Sequence, residues 1–412
     1  MTVDLHPFRA FRPRPELAEK VASPPYDVLN SAEAREMAGD NPLSFLHVVK
    51  PEIDLDPSVD IYDDQVYAKG KENLDRLLRE SYQQDAAPCL YVYQQKMGEH
   101  VQAGIVAGAS VFDYEQDRIK KHELTREVKE KDRIRHVKTL GAHTGPVFLT
   151  YKANKEVDAI VAQVRAGAPT YDFVSPDGIG HTLWVVDDAA MVERLVGLFA
   201  PMDCLYVADG HHRSAAGTAV AKERRDQDAA LPREHEINYF LAVVFPHDQM
   251  KILDYNRVVK DLNGLTEAEF LAKVEEKFEV KEVAEKRPDR ARCFGMYLGG
   301  KWYRLSAREG SFDAADPVRS LDVSILQLNL LAPILGVQDP RTDKRVDFVG
   351  GIRGPEGLEK RCREDMEVAF SMYPTSMEQL MAIADAGEIM PPKSTWFEPK
   401  LRSGLIVHAF DF

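Results

Sequence analysis

The sequence is poor in cysteine. Among 412 residues there are 4, Cys89, Cys204, Cys293 and Cys362, far apart and without a CxxC pair. They make neither a disulfide framework nor a zinc site, and a reducing cytoplasm is the compartment they fit. Long apolar runs are also missing, so no segment is expected to cross a bilayer. The stretch Met1 to Arg14 lacks the apolar core of a signal peptide. Positive charge is in deficit: the net charge is −14, which argues against a general nucleic-acid binder. No internal repeat and no low-complexity tract is visible. What remains is 44% hydrophobic and 29% charged, the composition of a soluble globular protein long enough for two or three domains.

The chain is organised around Cys204-Leu205-Tyr206-Val207-Ala208-Asp209-Gly210-His211-His212-Arg213. The apolar run predicts a buried strand. Asp209-Gly210 predicts a sharp turn, and the Ala-rich, charged stretch from Ser214 to Arg225 predicts a helix. His211, His212 and Arg213 then sit at the helix mouth, where free backbone N–H groups and the positive end of the dipole point. Gly210 leaves room for a ligand, and Arg213 offers a forked cation. The combination suits a phosphate. The plainer alternative is a turn in which Asp209 only caps the helix.

Other segments are read from their patterns. Pro24-Pro25 present Tyr26 and Asp27 at a fixed angle before a helix at Ser31–Ala38. Phe45–Val49 reads as a strand and Tyr67–Tyr82 as an amphipathic helix. Cys89–Gln94 and Val101–Val106 read as a hairpin around Gly98, and Val111–Tyr114 as an extension of its sheet. Strands and helices alternate to about residue 260. Beyond lie a hairpin at Gly299-Gly300, a leucine-rich helix over Leu321–Leu335, and the proline-braced Met390–Lys400, which could bring Lys393 and Ser394 into a cleft. The expected class is α/β (mixed α+β) with a central mixed sheet. The expected division is 1–88 packing on the core, 89–260 as the core, and 261–412 as a C-terminal α+β region.

A second constellation is a basic island. Arg118 to Lys138 holds nine Lys/Arg and four Asp/Glu. Most of it predicts a solvated helix with i,i+4 pairs such as Glu127–Lys131. His122 and Glu123 stand at its start. Glu123 is the candidate general base toward a hydroxyl. Gly141–Pro146 could form a loop over a ligand. A resident metal is not expected: His211 and His212 are adjacent on a turn and rarely reach one ion together, and no HExxH spacing exists. Magnesium carried by a nucleotide needs only one or two carboxylates.

Pro24-Pro25-Tyr26-Asp27-Val28, His122-Glu123 with Thr125, Lys131-Asp132-Arg133, Asp209–Arg213, and Met390–Thr395 with Pro399-Lys400 together resemble the landmarks of the bacterial domain of unknown function 1015 family, nearly end to end. Asp209-Gly210-His211-His212-Arg213 is also similar to the DGHHR motif of free-serine kinases with a ParB/sulfiredoxin-like fold. That resemblance implies a ParB-like core, contact of the motif with nucleotide phosphates, and a separate glutamate as base. The expectation is a phosphotransferase acting on serine or a similar hydroxylated metabolite. Its cofactor would be Mg2+ with ADP or ATP, or pyrophosphate. Its catalytic residues would be Glu123, His122, His211 and His212, and its phosphate-binding residues Asp209, Gly210, Arg213, Lys393 and Ser394. The alternatives are a phosphatase on phosphoserine or a related metabolite, and a non-enzymatic ParB-like nucleotide- or DNA-binding module. The partner is a small phosphate-bearing ligand.

Overall fold

The computed structural model describes residues 2–411. The chain divides into two units: one runs to Met250 and takes up the chain again from Pro399, and the other is Lys251–Glu398.

The first unit is built on a nine-stranded mixed sheet. Its strands are β1 (Leu5–His6), β2 (Leu90–Met97), β3 (His100–Ser110), β4 (Ile119–Lys120), β5 (Val147–Tyr151), β6 (Tyr171–Val174), β7 (Gly180–Val186), β8 (Leu205–Asp209) and β9 (Tyr239–Pro246). Their order is β4-β8-β5-β9-β3-β2-β7-β6, with β1 paired to β3. The pairs β4–β8 and β5–β9 are parallel and the others antiparallel. The central strands β5 and β9 are buried at every position, the pattern of strands covered on both faces. Val92, Ile105, Leu149, Val207 and Val244 share one core with Phe199 and Phe240. The helices that matter for the site are α1 (Asp64–Ser81), α2 (Glu127–Leu140) and α3 (His211–Gln227). Helix α2 lies against both α1 and α3, and its outer face carries the expected Glu127–Lys131 pair at 2.6 Å.

The contacts draw the chain's division differently from the sequence pattern. Val21, Phe45, Leu74 and Leu77 bury against Leu140 of α2 and Val407 of the tail, so residues before 88 and after 399 share the first unit. The boundary expected at 260 falls at Met250. Two strand expectations are corrected. Phe45–Val49 is a turn of helix over Leu46–Val49, and Val111–Tyr114 is a short helix, Val111–Glu115. Both are short β-branched or aromatic runs, whose strand preference yields to surroundings. In the second run, Asp113 accepts from the Asp4 amide at 2.8 Å and from Arg118 Nε at 2.8 Å, which fixes the helical turn.

The second unit holds a six-stranded antiparallel sheet in the order Phe278–Glu282, Lys301–Ala307, Cys293–Leu298, Val368–Ser371, Tyr255–Val259, Val346–Gly350. Gly299 and Gly300 both take positive φ, 55° and 80°, as a two-residue hairpin turn requires. The long helix expected over Leu321–Leu335 is instead one α turn, Asp322–Leu326, continued as π-helix over Gln327–Leu331. Pro333 has no N–H to continue an α ladder, and the Ala332 amide reaches back to the Gln327 carbonyl at 2.9 Å. Among the described residues no helix is long and apolar enough to cross a membrane.

Candidate functional site

Two strands running side by side build the site. Leu205 pairs with Ile119 and Tyr206 with Lys120, in parallel. The segments after β4 and after β8 therefore leave the sheet at the same edge, where ligands of α/β sheets gather. This brings His122 and Glu123 to the end of β8 despite their distance in sequence. At that end Asp209 closes the strand, and Gly210 turns the chain with φ +100°. The helix begins at His211, directly after the turn as the sequence leads one to expect, so His211, His212 and Arg213 form its first turn. No side chain caps this N-terminus. Its first amides lack intrahelical acceptors, and the dipole's positive end lies at the turn.

His122 and His211 meet edge to face, ring centroids 4.5 Å apart. They are 1% and 6% exposed. Neither ring nitrogen of His122 nor Nε2 of His211 makes a hydrogen bond of ordinary geometry, although the Val207 backbone lies near enough to His122 to favour its charged form. A buried polar group left without a partner costs about 1–3 kcal/mol. Burial, and then repulsion from His211, lower His122 to about 3. Burial lowers His211 to about 4 against the pull of Asp209. Both imidazoles are thus neutral near pH 7. The half-buried Glu123 completes the group: one ligand-type atom from each of His122, Glu123 and His211 lies within 4.8 Å of the others. His212 goes elsewhere. Its Nε2 accepts from the Arg126 amide at 3.1 Å and so ties the start of α2 to α3.

Arg213 is more structural than its place in the motif suggests. Its side chain is 10% exposed. It donates to the Pro146 carbonyl, and its terminal nitrogen lies 3.8 Å from Asp27, while Nε is unbonded. Burial works against its charge, yet Asp27 and Asp209 hold its pKa above the usual arginine value. A Cβ on Gly210 would stand 3.2 Å from Arg213 Nε and 3.4 Å from the Val147 backbone. Gly210 therefore makes room for Arg213 as well as for the turn. Arg213 also lines a cavity of about 30 Å3 with Tyr26, Arg133, Thr144, Gly145 and Ser403. That space is enough to hold a water. The Gly141–Pro146 segment, expected over a ligand, packs here instead. The Arg133 guanidinium stacks 4.0 Å from the Tyr26 ring, so the Pro-Pro-Tyr-Asp turn does reach the neighbourhood of the motif.

One residue at the site carried no role in the sequence pattern. Lys400 Nζ lies 2.9 Å from Asp209 Oδ2. Burial pushes the Asp209 carboxyl up, but Lys400 and then Arg213 more than offset it and hold it well below the usual aspartate value. With the pair separated by 191 residues, no local pattern could announce it. Lys393 and Ser394 belong to the second unit and are used locally there. Ser394 donates to the Pro391 carbonyl at 2.6 Å, and the Lys393 ammonium stands 5.6 Å from the Tyr255 ring centre.

The family model described as "Protein of unknown function (DUF1015)" matches residues 5–324, and the chain belongs to that family. No curated protein matches the sequence. Among solved structures, the chain is similar to a free serine kinase in complex with AMP, at 16% identity over 68% of this chain and 84% of that one, with a TM-score of 0.35. It is similar to a conserved hypothetical protein from Pyrococcus furiosus, at 14% identity over 68% and 87%, TM-score 0.34. It is also similar to SbnI with a C-terminal truncation from Staphylococcus aureus, at 12% identity over 72% and 85%, TM-score 0.39.

Proposed function

We propose that this DUF1015 protein is a phosphotransferase that holds a small phosphate-bearing ligand at the mouth of α3. The other substrate is a small hydroxylated metabolite, serine or a relative, as the Asp209–Arg213 motif's resemblance to free-serine kinases suggests. The observation that carries this reading is the parallel pairing of β4 with β8, which sets the half-buried Glu123 beside an uncapped helix N-terminus. An anion at that N-terminus is stabilised by the amides of His211 and His212 and by the dipole. Lys400 stands at the same edge through its contact with Asp209.

In the forward direction the acceptor's hydroxyl oxygen attacks the terminal phosphorus of ADP, ATP or pyrophosphate carried with Mg2+. The bond from that phosphorus to the donor's bridging oxygen breaks, and Glu123 takes the hydroxyl proton. Such chemistry demands positioning and neutralisation of charge more than covalent help. The test has two arms. Purified protein is incubated with serine and each donor, and separately with phosphoserine alone, with product followed by phosphorus NMR. Phosphoserine formed only when a donor is present supports the reading. Phosphate released from phosphoserine in water favours the phosphatase alternative. Ligand-induced thermal stabilisation with no turnover in either arm would reduce the site to a nucleotide-binding module.

A further inference from the structure

We propose that His122, Glu123 and His211 bind one first-row divalent transition-metal ion, of the zinc or manganese kind, at the mouth of α3. The assignment does not rest on phosphoryl transfer. Ligand atoms from the three residues lie within 4.8 Å of one another. Bonds of about 2.0–2.2 Å place two ligands on one ion at most about 4.4 Å apart, so a small inward movement of side chains completes the site.

A second observation is independent of these separations. The nitrogens of His122 and Nε2 of His211 are buried and meet no partner in ordinary hydrogen-bond geometry among the described residues, the Val207 carbonyl lying near His122. Buried polar atoms in folded proteins are nearly always partnered. An ion satisfies a nitrogen of each ring and the Glu123 carboxylate together. Two imidazoles and one carboxylate select a transition ion over magnesium or calcium, which prefer oxygen. Three protein ligands leave coordination positions open, as in catalytic rather than structural sites. Bound through one oxygen, Glu123 keeps the other for a proton. The ligand set also shows why adjacency misleads. The partner of His211 is His122, which the β4–β8 pairing brings alongside, and not its neighbour His212, which is held by the Arg126 amide.

The test uses the untagged full chain, stripped with chelator and titrated with Co2+, Zn2+ and Mn2+. Retention of metal after gel filtration is measured by elemental analysis. The expected result is one ion per chain, with cobalt giving visible ligand-field bands that Zn2+ displaces. His122→Ala, Glu123→Ala and His211→Ala should each weaken cobalt affinity at least tenfold, whereas His212→Ala should leave it within about twofold. A folded wild-type chain that retains no stoichiometric ion overturns the proposal, whatever the variants do. So does a folded His122→Ala/His211→Ala chain whose cobalt spectrum matches the wild type. If that double variant does not fold, the singles decide by the same spectrum. Metal binding without any phosphoryl transfer would leave this site standing and remove the reading of the preceding subsection.

Discussion

The Lys400 ammonium lies 2.9 Å from the Asp209 carboxylate, so the returning tail is fastened to the end of the strand from which the motif helix springs. Neither side chain is more than 28% exposed, and leaving a partly buried hydrogen-bonding group without its partner costs about 1–3 kcal/mol. The Asp209 carboxyl is held below its ordinary value of 3.8. Its contribution is therefore present above about pH 4 and lost as pH falls through the lower folded value. Lys400→Met should lower the denaturation midpoint at pH 7 and move the onset of acid unfolding to higher pH. An unchanged acid transition would show that the contact contributes nothing.

Gly210 is fixed by its φ of +100° and by the closeness of Arg213 and Val147. Gly210→Ala should cost at least about 1 kcal/mol, because the backbone is left-handed there and the added carbon presses on a buried guanidinium. In calorimetry that is a fall of about 2–4 °C per kcal/mol for a unit of this size. A melting temperature equal to wild type would mean that the turn relaxes freely.

Arg213→Ala should destabilise the protein. The guanidinium spans the Pro146 carbonyl and the neighbourhood of Asp27 from a nearly buried position. Removing it strips a carbonyl of its donor and opens a void, a loss of about 2–3 kcal/mol. Arg213→Lys should not restore the loss, since one ammonium cannot reproduce the fork. Full stability of Arg213→Ala by urea denaturation would return this residue to a purely ligand-binding role.

Much of the core's order was legible in the sequence. The amphipathic helix expected over Tyr67–Tyr82 is found at Asp64–Ser81, and the hairpin expected around Gly98 is found as Leu90–Met97 and His100–Ser110, because a one-sided helix shows its 3.6-residue period and two β-rich runs around a glycine show their turn. The site was legible only in part. His122, Glu123 and the Asp209–Arg213 turn are each visible locally, and alternation of strands and helices places them at one edge. The two-residue strand Ile119–Lys120 that aligns them is too short for any period to reveal. The Lys400–Asp209 contact and the burial of Arg213 are products of tertiary packing, and nothing within a window of sequence encodes them.

His181 reports on acid stability in the same unit. Its Nε2 accepts from Arg402 Nε at 3.2 Å and its Nδ1 meets the Tyr93 hydroxyl at 2.7 Å. Burial, then repulsion from Arg402, lower its pKa from 6.5 to about 3. Between those values the unfolded chain takes a proton that the folded one refuses, so stability falls as pH drops below 6.5. His181→Gln should flatten the dependence of unfolding free energy on pH between 6 and 4.5 by about 1.4 kcal/mol per pH unit, the weight of one proton. Parallel curves for the two proteins would mean that His181 is protonated in the native state after all.

Glu123→Gln separates catalysis from binding. The Glu123 side chain is half-buried beside His122 and His211, so replacing it by an isosteric amide should leave the fold intact. Phosphate affinity is assigned to the amides at the start of α3, which the substitution does not touch. Turnover is different, because an amide cannot accept the acceptor's proton. The rate should fall by about 100-fold or more, the usual scale for loss of a general base, with the dissociation constant of the phosphate-bearing ligand changed by less than about threefold. Equal losses in binding and in rate would place Glu123 in the ligand's own contact surface. A normal rate would assign the proton to another group and leave Glu123 to its neighbours, His122 and His211.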